Sequence, residues 1–251
     1  MSFKIKRALW PDLLCSVLYP HRCPVCDGVF SFFKAADARK LRIHPDCLAQ
    51  LRFLKEPRCF GCGKELEEGS AEEYCPDCRK KSFHFRRNFA LLAYNRAARD
   101  SLARFKYRGR QEYAAVYGRL LAEGLGKQLK ALAPAVLIPV PIHSDRLRKR
   151  GYNQAELLAR ALGRRLELPV DAALLRRVKK TRAMKELSPA QRVRNLTDAL
   201  AVCKRREIPK RVLLVDDIYT TGSTLEACSR VLAAAGCQEI YCVTLCVGMR
   251  D

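Results

Sequence analysis

The chain has 251 residues, is 49% hydrophobic and 29% charged, and carries a formal net charge of +22. Its length suits one large domain or two unequal ones, and a globular composition without low-complexity tracts or solenoid-period repeats excludes a low-complexity or solenoid protein. The charge implies attraction to polyanions at low salt, or else a solvated basic surface; seven thiolates and two Zn²⁺ would lower it only to about +19.

The N-terminus, MSFKIKRALWPDLLCSVLYP, has a basic start, but Pro11 and Asp12 interrupt its apolar residues. The run is too short for a signal peptide and predicts an amphipathic helix packed on the body. No stretch approaches 18 unbroken apolar residues, so no spanning helix is expected and the location reads as cytoplasmic.

Thirteen cysteines divide the chain, eight before residue 80 and five after residue 202. Their CxxC pairing favours metal over a secreted disulfide scaffold. Cys59-x2-Cys62 and Cys75-x2-Cys78 are twelve residues apart, the pattern of a tetrahedral Cys₄ zinc ribbon, and Gly61 and Gly63 supply tight knuckle backbone. Cys23-x2-Cys26 and His44-x2-Cys47 repeat the pattern with one imidazole; His21 is a rival ligand, and Cys15 reads as packed. Residues 23–78 are too few and too polar to bury a core unaided, so two structural zinc ions are expected to supply folding energy. The last five cysteines, Cys203, Cys228, Cys237, Cys242 and Cys246, read mostly as core. A boundary falls near 80–87, giving domains 1–85 and 86–251.

Beyond it, 88–94 reads as a strand and 96–107 as a helix ended by Gly109. A second helix follows over 112–131, then a buried strand at 135–141 and an amphipathic helix over 152–166. DAALLRRV reads as a strand and KKTRAMKEL as a loop. Ser188 caps a helix that has Pro189 at its first position. ALAVC, RVLLVDD and EIYCVTLCV are further strands, the last two joined by a helix over about 223–235. The alternation predicts an α/β fold with a mostly parallel sheet.

The stretch VLLVDDIYTTGST (212–224) carries the chemistry. A buried strand ends at a crevice of the kind in which parallel sheets bind ligands. The next helix begins near Gly222 with unpaired N–H groups and a positive dipole end. Thr220, Thr221, Ser223 and Thr224 add hydroxyls, and Gly222 permits close approach, making a phosphate cradle. Asp216 and Asp217 repel phosphate but accept hydrogen bonds from a vicinal diol, so a ribose 5-phosphate satisfies both halves. A divalent metal on a diphosphate would also suit those carboxylates. The competing reading is a capped strand–helix turn with two exposed aspartates. No Walker pattern is present.

VLLVDDIYTTGST resembles the PRPP motif of type I phosphoribosyltransferases. With CPVC, HPDC, CFGC and CPDC, IPVPIHSDRLRKRGYNQAE (138–156) and LSPAQRVRNL (187–196), nearly the whole chain resembles the ComF family, in which a double zinc ribbon precedes a phosphoribosyltransferase domain. His44 stands where that family usually has cysteine. The resemblance implies that Asp216 and Asp217 hold the ribose hydroxyls, Thr220 to Thr224 the 5′-phosphate, and the loop after 135–141 faces the pyrophosphate of Mg²⁺-bound PRPP. Arg146 and Arg150 supply charge there, or are ordinary surface charge. Lys179, Lys180 and Arg182 fall where a mobile loop covers the ligand in such enzymes, or form a solvated run. Asn153 and Gln154 belong to the signature without an assigned role.

Two functions follow. In one, the family's link to natural competence implies uptake of single-stranded DNA beside a helicase-like translocase at the inner face of the membrane. The basic clusters RFKYRGR, RLRKR, RRVKKTR and KRR, with Phe105, Tyr107, Tyr113 and Tyr117 as candidate stacking rings, suit that strand. In the other, the protein is an active phosphoribosyltransferase of amidophosphoribosyltransferase type with an unknown acceptor. No side chain near the motif declares itself a base. A redox switch built on the CxxC pairs is disfavoured by their ribbon spacing.

Overall fold

A computed structural model describes residues 20–30, 41–179 and 188–248. The expected N-terminal helix, Cys15, Lys180 and Arg182 lie outside these residues.

The centre is a four-stranded sheet of β1 (Arg87–Ala93), β6 (Glu239–Val247), β5 (Arg211–Tyr219) and β2 (Val136–Pro139), in that spatial order. Every pairing is parallel. Val212 to Val215 are fully buried because both faces are covered, which is why this strand reads as an unbroken apolar run. Leu213 and Val215 join one core cluster and Val212 and Leu214 the other, as the two-residue side-chain period requires.

On the first face lie α3 (Arg96–Tyr107), α4 (Tyr113–Ala131) and α6 (Gln154–Leu166). A Cβ on Gly118 of α4 would stand 2.5 Å from that of Ala161 in α6, so the glycine lets these two helices approach closely. On the second face lie α8 (Ser223–Ala234) and an antiparallel pair, β3 (Leu175–Arg177) with β4 (Leu200–Val202). α7 (Pro189–Thr197) has the expected start: Ser188 and Gln191 form a reciprocal capping box.

The metal-binding segments divide between these faces. Cys23 and Cys47 belong to the first core cluster, whereas Cys59, Cys62, Cys75 and Cys78 belong to the second. Two short helices, α1 (Pro45–Ala49) and α2 (Pro76–Arg79), carry the second halves of the CxxC-type pairs.

Three details depart from the sequence reading. Strand β5 runs past the two aspartates through Ile218 to Tyr219, because β6 pairs with it as far as Tyr219 opposite Val247. β3 and β4 pair only with each other and stand outside the parallel sheet. A helix absent from the reading, α5 (Ser144–Arg150), follows β2. It buries no residue and so shows no apolar period; His143 caps its start and Gly151, at φ 82°, ends it.

Candidate functional site

The strand ends assemble the site. Val140 N donates to Val215 O at 2.9 Å, which sets the loop after β2 beside Asp216. Gly248 N donates to Tyr219 O at 2.8 Å and closes the other side. The crevice therefore opens at the carboxyl ends of β2, β5 and β6.

Asp216 and Asp217 point to different environments, as neighbours on a strand do. Asp216 is half-buried, and its Oδ1 accepts from the Asp217 amide at 2.8 Å. Burial and the adjacent Asp217 charge push the Asp216 carboxyl well above the usual carboxylate range, against the opposing pull of Lys106. The Asp217 side chain is only 6% exposed and forms an ion pair with Lys106 Nζ at 2.5 Å. Burial alone would depress the Lys106 ammonium; Asp217 and then Asp216 outweigh it and hold the group above its ordinary value. Lys106 was legible only as one letter in RFKYRGR. Nothing in local spacing shows that the end of α3 reaches β5.

The loop from Thr220 to Thr224 joins β5 to α8. Thr220 and Thr221 are exposed, Gly222 and Ser223 buried, and Thr224 half-buried. Gly222 has φ 81° and, as the N-cap residue, offers no side chain to the first turn of α8; Thr221 Oγ1 accepts weakly from Ser223 N at 3.4 Å. The α8 N-terminus is thus available to an anion. Thr221 Oγ1 and Ser223 Oγ lie 2.9 Å apart. A Cβ at Gly222 would meet the Tyr219 hydroxyl at 2.2 Å, so glycine is required both by φ and by space. That hydroxyl is itself buried without a hydrogen-bond partner among the described residues.

Across the crevice, Lys106, Tyr107, Gly109, Arg146, Lys149 and Arg150 line a cavity of about 370 Å³. Arg146 and Arg150 are therefore brought together beside the Asp217–Lys106 pair. Lys179 is exposed beyond the end of β3. Asn153 plays a structural part. It accepts from Ala155 N at 3.1 Å, capping α6, and donates to Val140 O at 3.0 Å. Gln154 is buried in the first turn of α6. Of the candidate stacking rings, Phe105, Tyr113 and Tyr117 are buried, so they are corrected to core residues. They cluster edge to face, and Tyr117 Oη lies 2.6 Å from Ser101 Oγ. Tyr107 is 75% exposed.

The two metal clusters form as the spacing predicts. Cys23, Cys26, His44 and Cys47 bring four ligand atoms within 4.8 Å of one another, as do Cys59, Cys62, Cys75 and Cys78. The first takes His44 and not His21, with Nδ1 3.3 Å from Cys26 Sγ and 4.0 Å from Cys47 Sγ. In the second, Cys62 and Cys75 sulfurs are 3.7 Å apart, against about 3.8 Å for thiolates 2.3 Å from one tetrahedral zinc. The Cys75 amide donates to Cys59 Sγ at 3.2 Å. A Cβ on Gly61 would lie 2.8 Å from Cys78 Cβ, so this glycine lets the two knuckles close.

The second ribbon also touches the loop from Thr220 to Thr224. Lys81 Nζ donates to Thr221 O at 3.2 Å. Glu226, in the first turn of α8, accepts from the His84 amide at 2.9 Å and lies 2.7 Å from His84 Nδ1. Buried Asn88 on β1 donates to Cys62 O at 2.8 Å and to Thr244 Oγ1 at 3.2 Å. Sequence reading missed all three, because each joins segments far apart along the chain.

Comparison with known proteins agrees with this geometry. Residues 14–79 match the double zinc ribbon domain, and residues 148–251 match the phosphoribosyl transferase domain. Competence protein F of Haemophilus influenzae is 34% identical over 212 residues, 77% of this chain and 92% of that protein. The chain belongs to the ComF family. Other similar proteins are competence protein ComFC of Bacillus subtilis, 29% identical over 85% of this chain and 89% of the relative, and the DNA utilization protein YhgH of Escherichia coli K12, 29% identical over 75% and 83%. Both cysteine-rich clusters of this ComF member are structural zinc sites: all four positions of each are filled by protein, leaving none open for catalysis. Among the described residues, no helix is long and apolar enough to cross a membrane.

Proposed function

We propose that this ComF-family protein acts in DNA uptake, handling single-stranded DNA, and that its phosphoribosyltransferase domain binds PRPP with Mg²⁺ or a related ribose 5-phosphate. One observation carries the ligand reading. Two carboxylates at the end of β5, one ion-paired to Lys106, stand a single loop before the uncapped N-terminus of α8. The carboxylates suit the ribose diol and the loop suits the 5′-phosphate. Arg146 and Arg150 lie where the diphosphate would extend, and Mg²⁺ chelated by that diphosphate would find Asp216 and Asp217 nearby. The relatives named for competence and DNA utilization support the DNA reading, as does the charge of +22. A helicase-like translocase at the inner membrane face is the proposed partner, which would make the protein cytoplasmic and peripheral.

Titration calorimetry with PRPP–Mg²⁺ tests the ligand. Wild type should bind with one site per chain and Asp216→Ala should bind at least tenfold more weakly. No heat with wild type overturns the reading.

A second reading, an active transferase, is favoured by the cationic cavity opposite the diol grip, which suits a departing pyrophosphate. It requires pyrophosphate release from PRPP with an added amine or base, lost in Asp217→Ala. Binding without release under any acceptor leaves the binding role alone.

A further inference from the structure

Among the described residues, four cations and one tyrosine line the cavity across from Asp217, and no acid does. Lys106 is already paired with Asp217. Among the described residues, neither Arg146 nor Lys149 forms an ion pair, and both are exposed. Arg148, one position away, is instead paired with Asp145 at 2.5 Å. Arg146, Lys149 and Arg150 stand at helical offsets of three and four, so α5 presents them on one face. That face meets Tyr107. The Arg150 guanidinium sits 5.2 Å from the centre of the Tyr107 ring, a cation–π contact that orients the ring while leaving 75% of the residue exposed. Gly109, at φ 69°, turns the chain just after it, and a Cβ there would meet nothing within 4 Å, so the approach is open.

An exposed aromatic ring flanked by unpaired cations has the chemistry of a stacking platform for a strand with bases on one edge and phosphates on the other. We propose that Tyr107, backed by Arg150, seats a base of single-stranded DNA, with the flanking phosphates on Lys149 and on Arg146, which the strand and the PRPP diphosphate would occupy in turn. The base would lie at the mouth of the crevice holding Asp216 and Asp217. This rests on the DNA reading above and supplies its contact point. Tyr107 is the one of the four candidate rings that is exposed, while Phe105, Tyr113 and Tyr117 are core.

The test is fluorescence anisotropy of a labelled oligothymidylate of about 20 nucleotides, with an abasic strand of equal length as second probe, across a salt series. Tyr107→Ala should weaken oligothymidylate binding roughly 5- to 100-fold, leave abasic binding unchanged, and keep the salt slope. Tyr107→Phe should restore binding to within about twofold, since the ring is retained. Lys149→Ala should weaken both probes and reduce the salt slope by about one. Because Tyr107 and Lys149 are exposed, none of these changes removes core packing. If wild type binds the oligonucleotide and Tyr107→Ala binds equally well, the platform is overturned and the DNA reading stands. If wild type binds neither probe at about 50 mM salt, the DNA reading itself falls, and the platform with it.

Discussion

Replacing Lys106 by Met removes the counter-charge of Asp217 and leaves two adjacent carboxylates at the end of β5. The ion pair is 2.5 Å long, with side chains 19% and 6% exposed. At an effective dielectric constant of about 20, attraction at that distance is about 7 kcal/mol, much of it offset by the cost of removing both charges from water. Breaking such a pair from one side costs about 3–5 kcal/mol, and the partial exposure of Lys106 favours the lower end. A chain of this size loses about 2–4 °C in Tm per kcal/mol, so Lys106→Met should melt about 6–12 °C below wild type at pH 7. Calorimetric unfolding of the zinc-loaded protein measures this. Adding Asp217→Asn should recover most of the loss, because no uncompensated charge then remains at 217. The deficit of the single variant should narrow on acidification, as Asp216, already raised by burial and by Asp217, takes up a proton. In wild type, Lys106 is held above its ordinary value, so its contribution is complete below about pH 10.5 and declines as pH rises through the folded value. A single variant melting within 1 °C of wild type, or a double variant no better than the single, refutes the claim that Lys106 holds the two carboxylates in place.

Asp216→Asn should raise Tm at pH 7 while abolishing PRPP binding. A carboxyl with a raised folded value costs stability above that value, so the gain should shrink as pH falls toward 3.8, and a gain that grows on acidification contradicts the assignment. Gly222→Ala should cost about 2 kcal/mol or more through its φ of 81° and its clash with Tyr219 Oη; adding Tyr219→Phe should return part of it, and denaturant unfolding reads both. Glu226→Ala should cost about 2–4 kcal/mol, since this buried carboxylate holds the His84 amide and ring and Arg230 Nε, and hydrogen exchange should rise first at 81–86. Elemental analysis should find two zinc atoms per chain, with one lost in Cys59→Ser and one in Cys26→Ser; a wild-type value below two removes the His44 cluster.

The loop from Thr220 to Thr224 and the metal clusters were legible because their chemistry is local. CxxC knuckles and a glycine at a helix start bring their own atoms together within a few residues. Likewise, β5 declared itself through Val212 to Val215, whose complete burial leaves no polar alternation. The residues that went unread act across the fold. Lys106 meets Asp217, Lys81 meets Thr221, and His84 meets Glu226 only after the sheet has been assembled. Helix α5 escaped for a different reason: nothing in it is buried, so its period carries no apolar signal. The rings of Phe105, Tyr113 and Tyr117 looked available because they sit among arginines, yet burial is decided by the helix face and not by neighbours in sequence.

The seam between the second ribbon and α8 makes amputation costly. Cutting away residues 41–86 would strip Asn88 of its Cys62 carbonyl, Glu226 of the His84 amide, and Thr221 of Lys81. It would also remove Cys59, Cys62, Cys75 and Cys78 from the core cluster they share with Val212 and Leu214. The ribbon is thus bonded to the loop and helix that follow β5 and is not an appendage beside them. Chelating its zinc should be felt first by the loop from Thr220 to Thr224.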